Sequence, residues 1–392
     1  MRIAIDASRA AGEQKTGIGW YTHHLLAHMR TTMPDGVGVR LYSDAVLPSS
    51  LGPITDRWEQ TMLPWPPLPA ALRAWFATVG LPLRWPLWSQ LRLAERVIRD
   101  ASDVLFVPAH VIPFVLMMMP RVKRPQLVTT IHDVVFCTFP ETYSMRERWY
   151  ADHATRLAVR SGAHIIVPTQ HVADELMRYY AADPAHITVI YHGVSHVPPP
   201  PAGRGGEGGW GMAPSILYVG RLEHKKNVVR IVEAFTRVAK THANARLVLA
   251  GSDGYGADAV RRAIAASSVA DRIDTPGWVD PARYAELLRR ASVFCFPTLA
   301  EGFGLPILEA MAAGIPVVTS RGGAHEEVAG EAALLVDPQD PAAIADALTR
   351  VLDDTSLARS LAVRGTARAR LFSWDKTASK TWKVLCDIMK MS

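Results

Sequence analysis

Short β-branched runs alternate with longer segments of helical period along almost the whole chain, and this alternation most constrains its fold. It occurs twice, once on each side of the stretch 198–211, in which ten of fourteen residues are Pro or Gly. Such a density excludes a helix or a central strand, so it predicts an interdomain linker. Strands that alternate with helices favour parallel sheets covered by helices on both faces. We therefore expect an α/β protein with two doubly wound domains that face a common cleft.

The patterns also set the expected boundaries. We expect a first Rossmann-like domain over 1–197, the linker over 198–213 and a second Rossmann-like domain over 214–373. An amphipathic helix over 374–392 is expected to cross back to the first domain. The first half predicts strands at Arg2–Asp6, Val37–Tyr42, Val104–Pro108, Leu127–His132, His164–Pro168 and Ile187–Ile190. The second half predicts strands at Ser215–Val219, Arg246–Ala250, Val293–Pro297, Pro316–Thr319 and Ala333–Val336.

Composition excludes several classes of protein. Hydrophobic residues make up 49% of the 392 residues and charged residues 20%, which excludes a disordered, collagen-like or coiled-coil chain. The cysteines Cys137, Cys295 and Cys386 match no zinc spacing and cannot all pair. The first residues predict a core strand rather than a signal peptide, and no apolar run reaches the roughly 20 residues of a membrane span. We therefore expect a cytoplasmic protein. The net charge of +6 favours an anionic partner without identifying it.

A strand–loop–helix segment in the second half carries the most informative motif. The backbone amides of Phe303, Gly304 and Leu305 are expected at a helix N-terminus, which attracts anions or hydroxyl-rich ligands. Two carboxylates, Glu301 in the loop and Glu309 in the helix, flank these amides. The pair could hold two parts of one long polar ligand, although loop and helix glutamates are also commonly solvated or capping residues.

The loop after the strand Ser215–Val219 carries two cations beside a glycine turn. Gly220 frees the turn, Asn227 is expected to cap the next helix, and Arg221 and Lys226 are expected to project into the cleft. An Arg fork and a Lys point charge suit a diphosphate. The alternative is a solvated basic loop.

The matching positions of the first domain carry weaker signals. Gly17 and Gly19 form a shortened glycine turn without the dinucleotide spacing, so a nicotinamide dinucleotide site is disfavoured, while a backbone amide near a phosphate stays plausible. His132 stands at a predicted strand end, where an imidazole could orient a hydroxyl or stabilise charge, although a lone histidine is more commonly structural. No Asp-x-Asp and no His or Cys cluster with ligand spacing occurs in the sequence, so no protein anchor for a metal is expected. Arg221 and Lys226 are then expected to neutralise the diphosphate.

Taken together these motifs resemble a known family. Glu301-x7-Glu309, the Gly-Arg-x4-Lys run at 220–226, the glycine turn at 17–19, His132-Asp133 and Pro-Gly-Trp-Val at 276–279 look like a retaining glycosyltransferase of family 4 with the GT-B architecture. The resemblance implies a nucleotide-sugar donor, no metal or other cofactor, and no nucleic acid as partner. It also implies transfer on one face of the sugar, with no residue acting as a covalent nucleophile.

The resemblance assigns roles to the motif residues. Arg221 and Lys226 would hold the diphosphate, and Glu309 the ribose hydroxyls. The base would meet the backbone at Val279. The sugar would be held by Glu301, by the amides of Phe303, Gly304 and Leu305, and by His132 from the first domain, while Gly17 and Gly19 would approach the donor from that side. One departure from the family is that His192 and Ser195 stand where Asn and Asp are common.

The stretch 129–194 most resembles bacterial mannosyltransferases of O-antigen and other surface polysaccharide assembly, which implies GDP-mannose as donor and a saccharide or lipid-linked saccharide as acceptor. The alternatives are a UDP-sugar-dependent member of the same family and an inactive subunit that binds a sugar nucleotide. A glycoside hydrolase that uses Glu301 and Glu309 as acid and base is disfavoured, because such an enzyme has no use for two cations after a glycine turn.

Aromatic and basic residues cluster on the acceptor side. From Arg57 to Arg124 there are nine Lys or Arg against four acidic residues. Five tryptophans lie in or near the start of this stretch, at Trp58, Trp65, Trp75, Trp85 and Trp88. This composition suits the interface of an anionic bilayer, so peripheral contact with the inner face of the cytoplasmic membrane is one expectation. Packing of these tryptophans on the first sheet is the other.

Overall fold

The structure is a computed structural model that describes residues 1–12, 15–51, 55–64, 88–120, 124–194 and 213–390. The predicted linker, apart from Ala213, lies outside the described residues, as do Trp65, Trp75 and Trp85.

The first domain is built on a parallel sheet of seven strands in the order β3-β2-β1-β4-β5-β6-β7. These strands are β1 Arg2–Asp6, β2 Gly38–Ser43, β3 Trp58–Met62, β4 Val104–Val107, β5 Gln126–Thr130, β6 His164–Val167 and β7 Ile187–Val189. The helices that accompany them are α1 Gly17–Thr31, α2 Ala94–Arg99, α3 Phe114–Met117, α4 Val135–Thr138, α5 Met145–Arg160 and α6 Gln170–Tyr180. The strand order reverses beside β1, and open α/β sheets bind ligands at such a reversal.

The second domain repeats this plan with a parallel sheet of six strands in the order β10-β9-β8-β11-β12-β13. Its strands are β8 Ser215–Val219, β9 Arg246–Ala250, β10 Ile273–Gly277, β11 Val293–Phe296, β12 Val317–Ser320 and β13 Leu334–Val336. Its helices are α7 Val228–Val238, α8 Ala257–Ala266, α9 Pro281–Arg290, α10 Leu305–Ala312, α11 Gly323–Ala329, α12 Pro341–Asp353 and α13 Thr355–Ala369. The prediction of two doubly wound domains is confirmed.

Two strands escaped the sequence prediction, and both lie at a sheet edge. Strand β3 is Trp-Glu-Gln-Thr-Met, whose polar residues hide the strand pattern because one side of an edge strand meets no neighbour. Strand β10 contains Pro276 and Gly277, which an edge strand tolerates because it need not donate to a second neighbour. Apolar periodicity therefore located the central strands and the edge strands β7 and β13, and missed the two edge strands whose residues are polar or include Pro and Gly.

The C-terminal helix, α14 Trp374–Lys390, belongs to the core of the first domain. Trp382 is buried and its indole Nε1 donates to the carbonyl oxygen of Met29 in α1, 3.0 Å away. The Thr377 hydroxyl donates to the carbonyl oxygen of Tyr191 at 2.8 Å. The chain thus crosses back to its first domain after the second domain is complete. The segment before α14 is therefore a second chain connection between the two domains.

Truncation of this contact should destabilise the protein. The Trp382→Ala substitution removes a buried aromatic ring and leaves a cavity, so we expect the free energy of unfolding to fall by about 3–5 kcal/mol. Urea denaturation followed by far-UV circular dichroism measures the change. Lys383→Ala, at the neighbouring exposed position, is the control and should change stability by less than about 0.5 kcal/mol. An equal loss in both variants would contradict the packing of Trp382 against α1.

Two tryptophans of the aromatic stretch are core residues. Trp58 and Trp88 are 3% and 1% exposed, and the Trp88 indole donates to the carbonyl oxygen of Leu63 at 2.7 Å. The prediction of membrane contact is therefore wrong for these two side chains, since both pack inside the first domain. None of the described helices is both long enough and apolar enough to cross a membrane.

Candidate active site

The predicted cations follow β8 and differ in their surroundings. The Arg221 side chain is 57% exposed, and its guanidinium lies 3.6 Å from the carboxylate of Glu223. Lys226 lies in a short 3₁₀ turn, His224–Lys226, and forms an ion pair with Glu301 in which both side chains are only 16% exposed. The two groups predicted to hold the ligand, Lys226 and Glu301, therefore neutralise each other's charge in this structure.

Asn227 corrects one expectation. Its side chain does not cap the helix that follows. Instead its amide donates to the carbonyl oxygens of Pro297, at 2.8 Å, and Pro338, at 2.6 Å. Asn227 is buried and has a left-handed backbone, φ +61°, and its side-chain amide joins the cation loop to the loop that carries Glu301.

The glycine loop after β11 leads directly into α10. Gly304 precedes the helix with φ +92°, a left-handed conformation that a glycine adopts at little cost. Leu305 begins the helix and Pro306 stands in its first turn, where its missing N–H costs nothing. The Phe303 ring is buried 4.6 Å from the ring of His192. A ligand at this site would meet the backbone of Phe303 rather than its side chain.

Glu309 lies in α10 and has a partner that sequence reasoning missed. The Tyr284 hydroxyl, from α9, donates to Glu309 Oε2 at 2.6 Å. Burial raises the pKa of the Glu309 carboxyl, and the bond from Tyr284 opposes that shift. Val279, predicted to meet the base, lies between β10 and α9 and packs partly buried against the core of the second domain. Tyr284 thus fixes the orientation of Glu309.

His132 is the predicted contribution of the first domain. Its ring is 8% exposed, and Nε2 lies 3.2 Å from the carbonyl oxygen of Pro108, which can only accept, so Nε2 carries the proton. Burial lowers the pKa of His132 to about 4, so the imidazole is neutral near pH 7. Tyr21 packs edge-on against this ring at 4.7 Å.

The predicted glycine turn opens the helix that carries Tyr21. Gly19 is buried, and a Cβ added to it would lie 2.9 Å from the carbonyl oxygen of Arg9. Gly17 is exposed, and a Cβ there would meet no atom within 4 Å. Gly17 therefore has open space around it, whereas Gly19 serves close packing at the start of α1.

The two domains meet at the glycine loop. A Cβ added to Gly302 would lie 1.6 Å from the carbonyl oxygen of His132, so the backbones of the two domains are in direct contact there. The Thr169 hydroxyl donates to the Gly302 carbonyl oxygen at 2.9 Å. Glu327 in α11 accepts from the backbone amides of Gln170, at 2.8 Å, and His171, at 3.0 Å. Sequence reasoning missed Thr169 and Glu327, since their significance appears only when the domains are assembled.

A second buried histidine lies behind the ion pair. His325 Nε2 is 2.5 Å from the Thr298 hydroxyl, and burial lowers the pKa of His325 to about 4. Within the described ranges, no group of three or more His, Cys, Asp or Glu side chains could hold a metal ion.

The buried histidines make stability depend on pH. In the unfolded chain histidine has a pKa near 6.5, whereas His132 and His325 titrate at about 4 when folded. Between pH 6.5 and 4 the unfolded chain therefore binds protons that the folded chain does not, and stability should fall as the pH falls through this window. Urea midpoints at pH 7.5 and 5 measure the loss. We expect His325→Gln to reduce the difference between the midpoints; an unchanged difference would contradict the role of this residue.

Comparison with known proteins matches both halves of the chain. A model of glycosyltransferase family 4 matches residues 16–197, and a model of glycosyl transferases group 1 matches residues 209–368. The O-antigen chain mannosyltransferase B of Escherichia coli is 30% identical over 294 residues, which cover 72% of this chain and 74% of that protein.

Solved structures share the whole architecture. The sucrose-phosphate synthase of Thermosynechococcus elongatus superposes with a TM-score of 0.74 at 20% identity and full coverage of both chains. HepE from Anabaena, in complex with UDP and glucose, gives a TM-score of 0.72 at 16% identity and covers 99% of this chain and 100% of that one. With the arrangement of the two sheets, these matches establish that the chain belongs to glycosyltransferase family 4 and has the GT-B fold.

Proposed function

We propose that this enzyme is a retaining glycosyltransferase that moves mannose from GDP-mannose onto a saccharide or lipid-linked saccharide acceptor in surface polysaccharide synthesis. The observation that carries this proposal is the Lys226–Glu301 ion pair, which joins a cation after β8 to a carboxylate after β11 beside the exposed Arg221. The likeness to the O-antigen chain mannosyltransferase B supports the choice of mannose.

The ion pair suggests how the donor is received. A diphosphate carries more negative charge than one carboxylate, so it would replace Glu301 as the partner of Lys226, with Arg221 as the second cation. Glu301 is then released to accept hydrogen bonds from hydroxyl groups of the sugar. The amides at the start of α10, around Gly304, face the same ligand, and Tyr284 holds Glu309 ready for the ribose hydroxyls.

The first domain would complete the site from the other side. Nε2 of the neutral His132 donates to a backbone carbonyl, so Nδ1 is left as an acceptor for a sugar hydroxyl. The helix start at Gly17 and Gly19 would bring a backbone amide towards the phosphates. The base of the nucleotide would meet the backbone at Val279.

Retention follows from the direction of attack. The acceptor oxygen approaches the anomeric carbon on the face from which the diphosphate departs. The bond from the anomeric carbon to the phosphate oxygen breaks, the bond to the acceptor oxygen forms, and the acceptor proton passes to the departing phosphate oxygen. Arg221 and Lys226 stabilise the charge on the diphosphate, so the proposed reaction needs neither a metal ion nor a covalent nucleophile.

The donor is tested by a thermal-shift panel of GDP-, UDP- and ADP-linked sugars, followed by nucleotide release in the presence of a cell lipid extract. We expect GDP-mannose to give the largest shift and GDP to be released. A larger shift with a UDP-sugar would indicate that the donor is a UDP-sugar and not GDP-mannose. The HepE complex with UDP and glucose supports this alternative. Donor binding without release of nucleotide would favour the inactive subunit instead.

We further propose that the protein binds the inner face of the cytoplasmic membrane peripherally. The start of α5 supports this, because Met145 and Trp149 are 89% and 63% exposed and flank the exposed segment Arg146, Glu147 and Arg148, in which two cations outnumber one carboxylate. Flotation with anionic vesicles should recover the wild type, and less of a variant in which Trp75, Trp85 and Trp149 are alanine. Equal recovery of the two proteins would exclude these side chains as the membrane contact.

A further inference from the structure

Lys225 belongs to the second domain but points into the first. Its Nζ donates to the hydroxyl of Tyr143 at 3.0 Å and lies 5.0 Å from the centre of that ring. Tyr143 directly precedes the cap of α5, so this contact crosses the cleft. The neighbouring Lys226 turns the other way, toward Glu301 in its own domain. Two consecutive lysines therefore serve different sides of one cleft.

The surroundings of Lys225 are strongly acidic. Its side chain is 20% exposed and lies 3.9 Å from the Glu223 carboxylate. Burial by itself would lower the pKa of Lys225, but Asp133 above all, then Tyr143, Glu301 and Glu223, raise it above the ordinary value. Conversely, burial would raise the pKa of Asp133, while Lys225 and then His110 hold it below the usual range. The cation is thus attracted mainly by a carboxylate of the opposite domain.

The backbone of Lys225 joins this contact to the donor site. Its carbonyl oxygen accepts from the amide of Leu299 at 2.9 Å, two residues before Glu301. On the same side Gly302 lies directly against the carbonyl of His132, next to Asp133. A movement of Lys225 relative to the first domain would therefore displace both Lys226, its neighbour in the chain, and the loop of Glu301.

We propose that Lys225 is a positioning residue for sugar transfer, whose hydrogen bond to Tyr143 sets Lys226 and Glu301 in register with the first domain. This inference rests on the proposed function. Lys225 does not touch the donor; its cation makes the catalytic arrangement depend on the closed placement of the two domains. Its loss should impair transfer more than nucleotide binding, because the second domain alone supplies the two diphosphate cations.

The test separates kcat from binding. For Lys225→Met we expect kcat for GDP release from GDP-mannose, with a cell lipid extract as acceptor, to fall about 10-fold to 100-fold. The Kd for GDP should stay within about threefold of the wild-type value, because misplacement of the domains disturbs the geometry of the reacting groups rather than the binding of the nucleotide. Lys225→Arg, which keeps the cation, should recover most of kcat, a result that a merely structural role for the side chain would not produce. Lys240→Met, at an exposed lysine of the same domain, should leave both values unchanged.

A double-mutant cycle with Tyr143→Phe, which removes only the hydroxyl that accepts from Lys225, makes the test sharper. Because the Lys225 ammonium and the Tyr143 hydroxyl share one hydrogen bond, the double variant should be little worse than either single variant. Additive losses, a kcat for Lys225→Met within twofold of the wild type, or a Kd for GDP raised as far as in Lys226→Met would overturn the inference. The proposed function fails separately, if the wild type releases no GDP or if the Arg221 and Lys226 variants keep full activity.

Discussion

Replacement of both Arg221 and Lys226 by methionine should lower the kcat/KM for transfer by about two to four orders of magnitude. Each cation would make charge-assisted hydrogen bonds to the diphosphate worth about 1.5–3 kcal/mol, so the loss of both corresponds to roughly a 10²-fold to 10⁴-fold fall in kcat/KM. Most of this should appear as weaker GDP binding by isothermal titration calorimetry, because the contact exists before and during transfer. The exposed guanidinium of Arg221 should account for the long-range attraction of the anionic nucleotide. The shielded Lys226 should account for most of the affinity for GDP.

The control for this experiment must separate binding from folding. Removal of Lys226 leaves the Glu301 carboxylate without its partner in a site that is 16% exposed, so part of any effect could come from instability. The triple variant with Glu301→Gln removes that charge and should restore the melting temperature without restoring GDP binding. Arg262→Met with Lys240→Met, two exposed cations of the same domain, should leave binding unchanged. Full transfer by the Arg221 and Lys226 variant would refute the diphosphate role.

The second large effect on transfer is expected from Gly302→Ala, which adds a single methyl group where the two domains meet. In Gly302→Ala the new Cβ would lie 1.6 Å from the carbonyl oxygen of His132 and 3.0 Å from Cβ of Asp133, which are backbone and near-backbone atoms that cannot yield. The domains must therefore move apart. Because each domain keeps its own core and the second keeps its cations, GDP affinity should change by less than about threefold while transfer falls at least about 100-fold.

Small-angle scattering provides the independent readout for Gly302→Ala. The radius of gyration should exceed that of the wild type, with and without GDP. Gly38→Ala is a suitable control, because a Cβ there has room. Apart from its immediate chain neighbours, the nearest atom would be the carbonyl oxygen of Met1, 3.9 Å away. A variant with the wild-type radius and full transfer would show that contact between Gly302 and His132 is not required for catalysis.

Much of the fold was predictable because its central elements are locally specified. The ends of β1, β8 and β9 agree with the sequence prediction residue for residue. Buried parallel strands are continuous apolar runs, and the glycines and prolines that flank them interrupt the pattern clearly. Edge strands β3 and β10 lack this signal, because β3 carries polar residues and β10 carries Pro276 and Gly277.

The candidate site likewise has features that the sequence predicts and contacts that it does not predict. Residue types and their spacing predict which side chains stand at the carboxyl ends of strands, among them Arg221, Lys226 and Glu301, because strand, turn and helix start are encoded within a few neighbouring residues. Three contacts appear only in the assembled fold: Lys226 pairs with Glu301, Lys225 reaches Tyr143 across the cleft, and Gly302 lies against His132. These partners lie 75 or more residues apart in the sequence, and no local pattern records a contact that exists only after two sheets and two domains have been packed together.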